Sequence, residues 1–568
     1  MYMKNSPHGK NSESFRPVIM GLNGMVASGH PLASEAGINV MRNGGNAVDA
    51  ALAVASTLSV VEPMMSGLGG DGYIMVYWKD TDSIEIINGT GAAPFKADPK
   101  LFKDTGIPSK GILSVSTPGL IHAWFDAYEK YASLELSTSF SDSIRIAKEG
   151  FPVSHYLSNA IGEDSMLCSF EDSQKIFTRN GVPLNPGEIL VQKNLSETLK
   201  TLASEGRGAF YNGSIGKALV EFISKHEGLI TQDDFSACTS RTELPISTTY
   251  NGYTVYESPP NSSGHILLQE LNILENFDIN NLNPHSPELI HLMIEAKKLA
   301  FSDRENYMSD PDFIDIPIEG MLSKKYATYL ASLIDPSKSN NIINKTNPWD
   351  FQNKPPKKQN NTRKGASEES ENTTCFVIVD SHGNAVCQLQ SLQSSWGSGM
   401  IAGDTGILLN NRMTYWHLDP NHINYLQPGR RVRHTMNTVM VFDEKTKELK
   451  WVLGTPGADT QVQSNFQVLV NMINYGYNVT EAVEAPRWKD ILSPTESNYP
   501  HSFANEVIME NRFSEQIISQ LEQKGHQIRI LDEWDGIVGR EMIIQSDPIT
   551  HTLHGAADPR YDGYAIGW

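Results

Sequence analysis

A strand that opens on a threonine, directly after a long polar tract, constrains this chain more than any other feature. The tract at 336–372 is rich in Asn, Lys, Ser and Glu, with four prolines and few apolar residues, so we predict an exposed, mobile linker. From Thr373 to Asp380, successive side chains alternate between the two faces of an extended strand, which predicts a half-buried strand. Residues 381–384, Ser-His-Gly-Asn, predict a turn, and 385–392 then return as the antiparallel partner.

Cleavage of the chain before this strand would make Thr373 a candidate nucleophile. If the bond between Asn372 and Thr373 breaks, Thr373 gains an α-amine beside its own hydroxyl. The unperturbed pKa of an α-amine is about 7.7 to 8.0, so a useful fraction is neutral and accepts the hydroxyl proton. One residue then supplies nucleophile and base, and the same hydroxyl can make the cut by an N-to-O acyl shift. From these residues alone, an ordinary structural strand is the favoured interpretation.

Longer segments change that interpretation. TTCFVIVDSHGNAV from Thr373 and GSGMIAGDTGILLNNRM from Gly397 resemble the start of the small subunit in the γ-glutamyltransferase family. Members of that family are Ntn-hydrolase proenzymes that cleave themselves before this threonine. Similar segments follow one another in order from about Pro17 to Ala565. They are MVASGHPLASEAGINVMRNGGNAVDAALAVASTLSVVEP from Met25, SGLGGDGY from Ser66, STPGLIHAW from Ser116, GAFYNGSIG from Gly208, SPPNSSG from Ser258 and ADPRYDGYA from Ala557.

The resemblance implies the domain organisation. A chain of 568 residues would ordinarily form several domains, but the family fold is one α/β unit, a four-layer αββα sandwich made by two halves of one precursor. We therefore expect a polar tail at 1–16, a large subunit at 17–372 that includes the linker, and a small subunit at 373–568. The two fragments of the precursor are each other's partners, and a homodimer of the cleaved pair is left open.

Composition limits the partners and the location. A net charge of −20 argues against nucleic-acid or anionic-membrane partners, because a basic surface is not expected where acidic residues outnumber basic ones so strongly. The four cysteines lack disulfide-framework density and metal-ligand spacing, which favours free thiols. The first sixteen residues lack an apolar core and a small-residue cleavage site, and no run of about 18 apolar residues follows. We expect a cytoplasmic protein without metal or organic cofactor.

Local patterns predict several elements of the large half. Pro31 to Met41 has helical spacing and stops at Gly44-Gly45, and Asn46 opens a second, buried helix through a capping box. Residues 73–78 and 83–87 alternate as a pair of strands. Between 119 and 334 the patterns are mostly helical, with helices at 141–148, 194–205, 267–274 and 287–304.

Two further motifs have competing interpretations. The glycine cluster that includes Gly67, Gly69 and Gly70 lacks the Lys-Ser/Thr pair and the helix of a phosphate-binding loop. We therefore predict that the chain turns tightly here and that its backbone approaches a site closely. His291 and Glu295 stand one helical turn apart, as metal ligands can. Because no HExxH motif is present, we predict a solvated helix pair.

The family resemblance assigns the catalytic residues. It places the nucleophile on Thr373 and the supporting hydroxyl of the next strand on Ser391. The two adjacent oxyanion-hole residues, both glycines in typical members, fall on Gly457 and Ala458, in a GTPGA turn that follows a predicted strand. Such a turn can aim successive backbone N–H groups at one point. The resemblance therefore implies an intact catalytic core.

The substrate-binding positions depart from the family pattern. Typical members bind the glutamyl α-carboxylate with an arginine and the α-amine with an aspartate, and these positions are Thr90 and Tyr415 here. Losing a bidentate arginine contact removes about 1.5 to 3 kcal/mol and its geometric specificity. The paired serines, the glutamine and the asparagine of typical members correspond to His434, Thr435, Arg412 and Gln393.

This altered pattern is similar to a branch of the family that includes oxamate amidohydrolase and cephalosporin-acylase-like enzymes. Arg412, Arg430, Arg431 and Arg433 would restore a positive site there, or would instead be solvated at the surface or paired with the chain's many carboxylates. The leading hypothesis is a self-processing threonine amidohydrolase or acyltransferase that cleaves γ-glutamyl-type amides, such as glutathione. The alternatives are the same enzyme acting on another acyl group, such as oxamate or a cephalosporin side chain, and an unprocessed relative that only binds.

Overall fold

The computed structural model describes residues 14–353, 371–491 and 505–568. The strands in chain order are β1 Ile19–Gly21, β2 Gly24–Ser28, β3 Asp71–Trp78, β4 Ser83–Gly89, β5 Phe151–Pro152, β6 Thr178–Arg179, β7 Val182–Pro183, β8 Ile189–Leu190, β9 Arg241–Glu243, β10 Ile246–Tyr250, β11 Tyr253–Glu257, β12 Glu371–Asp380, β13 Ala385–Ser394, β14 Val439–Asp443, β15 Leu449–Gly454, β16 Trp488–Asp490, β17 Val507–Glu510, β18 Ile528–Leu531, β19 Met542–Asp547, β20 Thr552–Ala557 and β21 Tyr564–Gly567.

The helices connect and cover these strands. In chain order they are α1 Pro31–Arg42, α2 Ala47–Val61, α3 Leu120–Tyr131, α4 Leu136–Ser139, α5 Ser141–Glu149, α6 His155–Glu163, α7 Glu171–Phe177, α8 Lys193–Glu205, α9 Arg207–Tyr211, α10 Ser214–Lys225, α11 Gln232–Ala237, α12 His265–Leu274, α13 Pro287–Tyr307, α14 Ile318–Met321, α15 Lys324–Ala331, α16 Thr460–Tyr475, α17 Val479–Glu484 and α18 Glu515–Gln523.

Two seven-stranded sheets form the centre of the molecule. One has the order β21-β2-β12-β13-β3-β4-β9, and the other has the order β1-β20-β19-β15-β14-β11-β10. Neighbouring strands in both sheets run antiparallel. Each sheet contains strands from before and after Thr373. The two halves of the chain therefore build one common fold, as the family resemblance implies.

Apolar cores separate four layers. The core between the sheets contains Tyr73, Cys375, Val377, Leu389 and Val452. A second core packs α2, α3, α5 and α8 against the outer face of the sheet that contains β12. A third packs α12, α13, α16 and α17 against the outer face of the other sheet. The αββα fold predicted from the family resemblance is confirmed.

The strand β12 is more deeply buried than its sequence predicts. It lies between β2 and β13 in the middle of its sheet, and every residue from Thr373 to Asp380 is buried. The expectation of a half-buried strand is wrong because one face meets the second sheet and the other meets α2. The polar residues of one face do not mark solvent here, since Thr374 and Asp380 have buried partners.

The predicted helices of the large half are confirmed, with small changes at their ends. They correspond to α1, α2, α5, α8, α12 and α13. Asn46 forms the predicted capping box with Asp49. The mostly helical interpretation of 119–334 missed β10 and β11, a hairpin that joins the second sheet beside β14. Only alternate residues of these strands are buried, so their apolar pattern was weak.

The first half of the predicted linker is packed against the protein. The Ser339 backbone N–H donates to the Lys524 carbonyl over 2.7 Å, and the Thr346 hydroxyl lies 2.6 Å from the Tyr326 hydroxyl. Both Ser339 and Thr346 are buried. Most residues of 336–353 are exposed, as predicted, but Ser339, Thr346 and Pro348 are buried and anchor this segment to the folded body. Residues 354–370 lie outside the described residues.

The end of the predicted N-terminal tail is also part of the folded body. The Arg16 guanidinium donates to the carbonyl of Gly563 over 2.8 Å, and its backbone N–H donates to Glu484 over 3.0 Å. The predicted tail of 1–16 is thus too long at its end, and residues 1–13 are outside the described ranges.

Charged groups interrupt even the long helix α13. Lys297 and Arg304 are buried on it and form ion pairs with Asp490 and Asp459. In the three described ranges, no helix combines the length and the apolar composition that crossing a bilayer requires. The buried charges of α13 instead tie it to the small half of the chain.

The contact between the two sheets can be tested at Gly454. A Cβ atom there would lie 2.7 Å from Cys375 Sγ and 3.4 Å from Cys387 Sγ. Gly454→Ala should therefore destabilise the protein by about 1–3 kcal/mol, as overpacking of a dense core does. Thermal and denaturant unfolding would measure the change.

Gly162→Ala provides a matched control, since Gly162 lies within α6 and a Cβ atom there meets open space. It should be neutral or stabilising by up to about 1 kcal/mol. Equal stability of the two variants would show that the sheets can separate locally without cost.

Candidate active site

A β-bulge isolates Thr373 from the strand ladder. Asn372 pairs with Gln393 and Thr374 pairs with Gln390. Two residues of β13, Ser391 and Leu392, therefore lie opposite the single residue Thr373. Bulges of this kind redirect a side chain and often lie beside active sites. The Thr373 hydroxyl is buried and donates to Ser391 Oγ over 3.2 Å. The structure thus brings together the predicted nucleophile and its predicted supporting hydroxyl.

The backbone after Ser391 holds that hydroxyl in place. The Gln393 backbone N–H donates to Ser391 Oγ over 2.7 Å. Gln393 has a φ of +92°, a conformation that side-chain-bearing residues rarely adopt. Strained backbone of this type costs on the order of 1–3 kcal/mol and persists only where its surroundings enforce it. At Gln393 the strain directs an N–H group at the oxygen that contacts Thr373.

The predicted oxyanion turn follows β15 and precedes α16. Gly457 and Ala458 have φ values of +116° and +45°. Their carbonyls accept from Thr460 and Gln461 at the start of the helix. Within the described ranges, the backbone N–H groups of Gly457 and Ala458 donate to no protein acceptor. Two free N–H groups beside a helix N-terminus can bind a negatively charged oxygen.

Gly454 places this turn above the nucleophile strand. Its backbone contacts Cys375, the second residue after Thr373, so closely that no side chain fits between them. At the far end of the turn, Arg304 forms an ion pair with Asp459, the N-cap of α16. The turn is therefore fixed at both of its ends.

Asp71 is a site residue that the sequence analysis missed. It lies opposite Ser391 in the pairing of β3 with β13, so both side chains point to the face that carries the Thr373 hydroxyl. Its carboxylate is buried, accepts from the Gly91 N–H over 3.0 Å and from Arg412 Nε over 3.2 Å. A lone carboxylate in the otherwise small and apolar SGLGGDGY segment was the available signal.

His434 completes this group on its far side. Its Nε2 lies 3.6 Å from the second carboxylate oxygen of Asp71. Burial, together with the nearby Arg412 guanidinium, lowers the pKa of His434 to about 4 despite the opposing effect of Asp71. His434 is therefore a neutral ring at physiological pH. Among the described residues, Arg412 is the formal cation paired with Asp71.

At Thr90, Tyr415 and Thr435, positions predicted to bind substrate, the polar groups have partners within the protein. Thr90 donates its hydroxyl to Asn88 Oδ1 over 2.7 Å. The Tyr415 hydroxyl lies 2.9 Å from Thr435 Oγ1, and the Arg412 guanidinium stacks over the Tyr415 ring at 4.8 Å. Neither Thr90 nor Tyr415 carries the charge that typical family members use at these positions. The departure from the family pattern seen in the sequence is therefore also a difference in the charges that surround these positions in the structure.

The four arginines of this region have different environments. All four are buried, so the alternative of surface solvation is wrong. Arg433 pairs with Glu305 over 2.9 Å, Arg430 donates to the Ile423 carbonyl, and Arg431 donates to the Thr90 carbonyl. Arg412 alone among them contacts Asp71.

The glycine and histidine motifs have structural environments. Cβ atoms at Gly69 and Gly70 would lie 2.3 and 2.4 Å from the carbonyls of Leu408 and Ser391, which confirms the predicted close approach. His291 and Glu295 are both buried, so the predicted solvated pair is wrong.

Two groups of possible metal ligands occur among the described residues, His291 with Glu295 and His526, and Glu305 with His417 and His422. In the first, Glu295 binds Lys298 over 2.7 Å. In the second, Glu305 binds Arg433 and Arg304. Because a cation already neutralises the carboxylate of each group, we interpret both as structural clusters.

Glu62 lies beneath β12 and is a second residue that the sequence patterns did not reveal. It caps α2, and the Thr374 hydroxyl donates to its Oε2 over 2.7 Å. Burial raises the pKa of Glu62 to about 7, against the lowering effect of the Thr374 hydrogen bond. Gly29 gives this carboxyl its space, since a Cβ there would lie 2.3 Å from Oε2.

Comparisons with known proteins agree with this geometry. The family model described as Gamma-glutamyltranspeptidase matches residues 33–568. A glutathione hydrolase-like proenzyme, YwrD, of Bacillus subtilis is 35% identical and covers 97% of this chain and 99% of its own. The glutathione hydrolase proenzyme of Escherichia coli is 34% identical, with 97% and 93% covered. The cephalosporin acylase of Bacillus halodurans superposes with a TM-score of 0.85 at 30% identity, with 100% and 99% covered.

The raised pKa of Glu62 makes stability depend on pH. The native state binds this proton more tightly than the unfolded chain, whose glutamate pKa is near 4.5. The contribution to stability is complete below about pH 4.5 and is lost as pH rises through about 7. Glu62→Gln, which stays neutral, should gain up to about 3 kcal/mol over the wild type between pH 5 and pH 8.

Unfolding free energies of both proteins at pH 5 and pH 8 would measure this difference. Glu522→Gln, on the exposed surface of α18, is the matched control and should change stability equally at both pH values. The expectation for Glu62 is contradicted if its substitution is equally pH-independent.

Proposed function

Because the chain belongs to the γ-glutamyltranspeptidase family of amide hydrolases and acyltransferases, we propose that it is a self-processing enzyme whose nucleophile is Thr373. The observation that carries the proposal is the Thr373 hydroxyl opposite the bulge, 3.2 Å from Ser391 Oγ. The turn with the two free N–H groups follows β15, whose last residue, Gly454, packs on Cys375 of the same strand as Thr373. Nucleophile, supporting hydroxyl and oxyanion donors are the three parts that amide cleavage needs.

The first reaction is cleavage of the chain itself. Thr373 Oγ attacks the carbonyl carbon of Asn372, and the peptide bond to the Thr373 nitrogen breaks while an ester to Oγ forms. Water then hydrolyses the ester, which leaves a carboxylate on Asn372 and frees the α-amine and hydroxyl of Thr373. The products are residues 1–372 and 373–568. Several relatives are named as proenzymes, which supports this step.

Turnover then uses the new α-amine as the base. It takes the proton of Thr373 Oγ as the oxygen attacks the carbonyl carbon of a substrate amide. The negative oxygen of the tetrahedral intermediate is held by the N–H groups of Gly457 and Ala458. The C–N bond breaks, the amine leaves with the proton, and the acyl group remains as an ester on Thr373. Water or an acceptor amine attacks that ester and restores the enzyme.

The names of the relatives favour a γ-glutamyl acyl group. Such a group carries an α-ammonium beside its carboxylate, and the ammonium needs an available acid. Tyr415 stands where typical members have an aspartate, and Asp71 already accepts from Gly91 and Arg412. Recognition of γ-glutamyl would therefore require Asp71 to exchange one of these contacts.

A second candidate acyl group is an acid without an α-ammonium. Arg412 is buried, and its Nη2 has no hydrogen-bond partner among the described residues. A buried N–H group of a cation is costly when unpaired, and a carboxylate on the acyl group would satisfy it. This observation favours the monoamide of a dicarboxylic acid, such as a glutaryl amide or oxamate.

Self-cleavage is tested by Thr373→Ala. The wild type should yield two fragments that split between Asn372 and Thr373, and the variant should stay at full length because it lacks the attacking oxygen. Denaturing gels and intact-mass analysis would measure both. Thr373→Ser is the matched control, since it keeps a hydroxyl and should still cleave. A wild type that remains uncut on long incubation would favour a relative that binds amides without turnover.

The acyl group is tested by comparing glutaryl-p-nitroanilide with γ-glutamyl-p-nitroanilide. We expect kcat/KM to be at least about tenfold higher for the glutaryl substrate, because only the γ-glutamyl substrate brings an ammonium to a donor-rich pocket. Oxamate hydrolysis would be followed in parallel by ammonia release.

Arg412→Lys should lower kcat/KM for the glutaryl substrate and keep the protein folded, since it preserves the charge beside Asp71 but not the forked guanidinium. A clear preference for γ-glutamyl-p-nitroanilide would instead establish the first candidate.

A further inference from the structure

The turn that follows α2 contacts β13 on both sides of Ser391. Its Met65 carbonyl accepts from the Leu392 N–H over 3.2 Å, and Ser66 Oγ accepts from Gln390 Nε2 over 3.0 Å. Gln390 and Leu392 are the neighbours of Ser391 in the chain. This turn therefore holds the segment of β13 that carries the predicted supporting hydroxyl.

Glu62 begins the same turn and reaches the other strand of the hairpin. The Thr374 hydroxyl donates to Glu62 Oε2 over 2.7 Å, and both side chains are buried. Thr374 lies opposite Gln390 in the pairing of β12 with β13, so both side chains lie on the face that α2 covers. One turn thus contacts the residue after Thr373 and the residues on both sides of Ser391.

Thr374 becomes the anchor of the nucleophile once the chain is cut. In the intact chain, Asn372 pairs with Gln393 and holds Thr373 from its N-terminal side. Cleavage breaks the covalent bond to Asn372, so Thr373 is then linked to the sheet through Thr374. A displacement of about 1 Å in a reacting group can slow a reaction by about 10²-fold. The contact between Thr374 and Glu62 therefore limits the movement of the residue that carries the nucleophile.

Charged or titratable side chains of several elements lie near the Glu62 carboxyl or near Asp562 beside it. They are His30, Tyr156, Arg540, Tyr561 and Asp562 itself. Burial lowers the pKa of His30 to about 4 and raises the pKa of both tyrosines, so these three groups are uncharged at neutral pH. Burial raises the pKa of Glu62 to about 7, with Asp562 adding to this effect and the Thr374 hydrogen bond and Arg540 opposing it. Glu62 therefore changes its charge at a pH where these three neighbours do not.

The ionised form of Glu62 is the better hydrogen-bond acceptor. A hydrogen bond to a carboxylate is roughly twice as strong as one between neutral groups, so the contact with Thr374 tightens as Glu62 loses its proton. The same charge costs folding free energy, because the carboxylate is buried. A buried acid that lowers stability beside a predicted nucleophile is typical of functional sites, where stability and activity are often opposed.

We propose that Glu62 is a positioning residue for Thr373, which acts through the Thr374 hydroxyl and is more effective as a carboxylate than as a neutral acid. The proposal rests on the proposed function, because it takes Thr373 as the nucleophile. Glu62 does not touch the reacting atoms. Its carboxylate fixes the start of β12, from which Thr373 Oγ meets Ser391.

The first test follows self-cleavage of full-length chain made by cell-free translation, at pH 6 and pH 8, on denaturing gels. Glu62→Gln should cleave as fast as the wild type at pH 6, where both side chains are neutral. At pH 8 it should be at least about threefold slower, because its amide cannot become a charged acceptor. Thermal unfolding of both proteins would show that Glu62→Gln is folded.

The second test removes the hydroxyl through which Glu62 acts. Thr374→Val keeps the shape of the side chain and should slow self-cleavage by about tenfold or more at both pH values. Thr374→Ser restores the donor and should recover most of the rate. Thr57→Val is the matched control, since the buried Thr57 hydroxyl on α2 has no hydrogen-bond partner among the described residues, and it should keep the wild-type rate.

Other outcomes would overturn the proposal. Equal rates of the wild type and Glu62→Gln at pH 8 would reject the role of the charge. A rate in Thr374→Val that matches the rate in Thr57→Val would reject the hydroxyl contact. If Thr374→Val fails to fold, the comparison of Glu62→Gln with the wild type decides alone.

The same gels separate this proposal from the proposed function. A wild type that remains uncut would reject self-processing and, with it, the positioning role of Glu62. A wild type that yields two fragments, at the same rate as Glu62→Gln at both pH values, would reject the positioning role while the proposed nucleophile stands.

Discussion

The pairing of β12 with β2 on one side and β13 on the other is the constraint on which the rest of the structure depends. A residue at the end of a central strand cannot move far, because hydrogen bonds on both edges and apolar packing on both faces hold the following residues. The strand is interrupted only at the bulge, where Thr373 leaves the ladder and turns to Ser391. With this geometry, the peptide bond before Thr373 can break while Thr373 keeps its position in the sheet.

The same pairing explains how two fragments would stay together. In the sheet that contains β12, the β12–β13 pair lies between β2 and β3, which come before Thr373, and β21 from the end of the chain pairs with β2. In the other sheet, β1 pairs with β20 and β11 pairs with β14. Ion pairs add to this shared core, since Lys297 and Arg304 on α13 bind Asp490 and Asp459 of the small half. Removing one partner from such a buried pair costs several kcal/mol.

How much the sequence predicts depends on whether a feature is local. The helices α1 and α2, the β12–β13 hairpin and the GTPGA turn follow from periodicity, caps and turn residues within a few positions of each other. Glu62 and Asp71 escaped prediction because their roles arise from contacts between elements far apart in the sequence, Glu62 with Thr374 and Asp71 with Ser391 and Arg412. The four arginines illustrate the same limit, since sequence alone cannot say which charge each one meets.

The environments of the buried arginines also separate structural from ligand-binding positions. Arg304 directs its guanidinium group at Asp459 and Glu305, so its desolvation is compensated inside the protein. Arg412 shares Asp71 through Nε, and its Nη2 has no hydrogen-bond partner among the described residues. A carboxylate on the proposed acyl group would supply the partner that Nη2 of Arg412 lacks, and this is the physical reason why the proposed function favours an acid at this position.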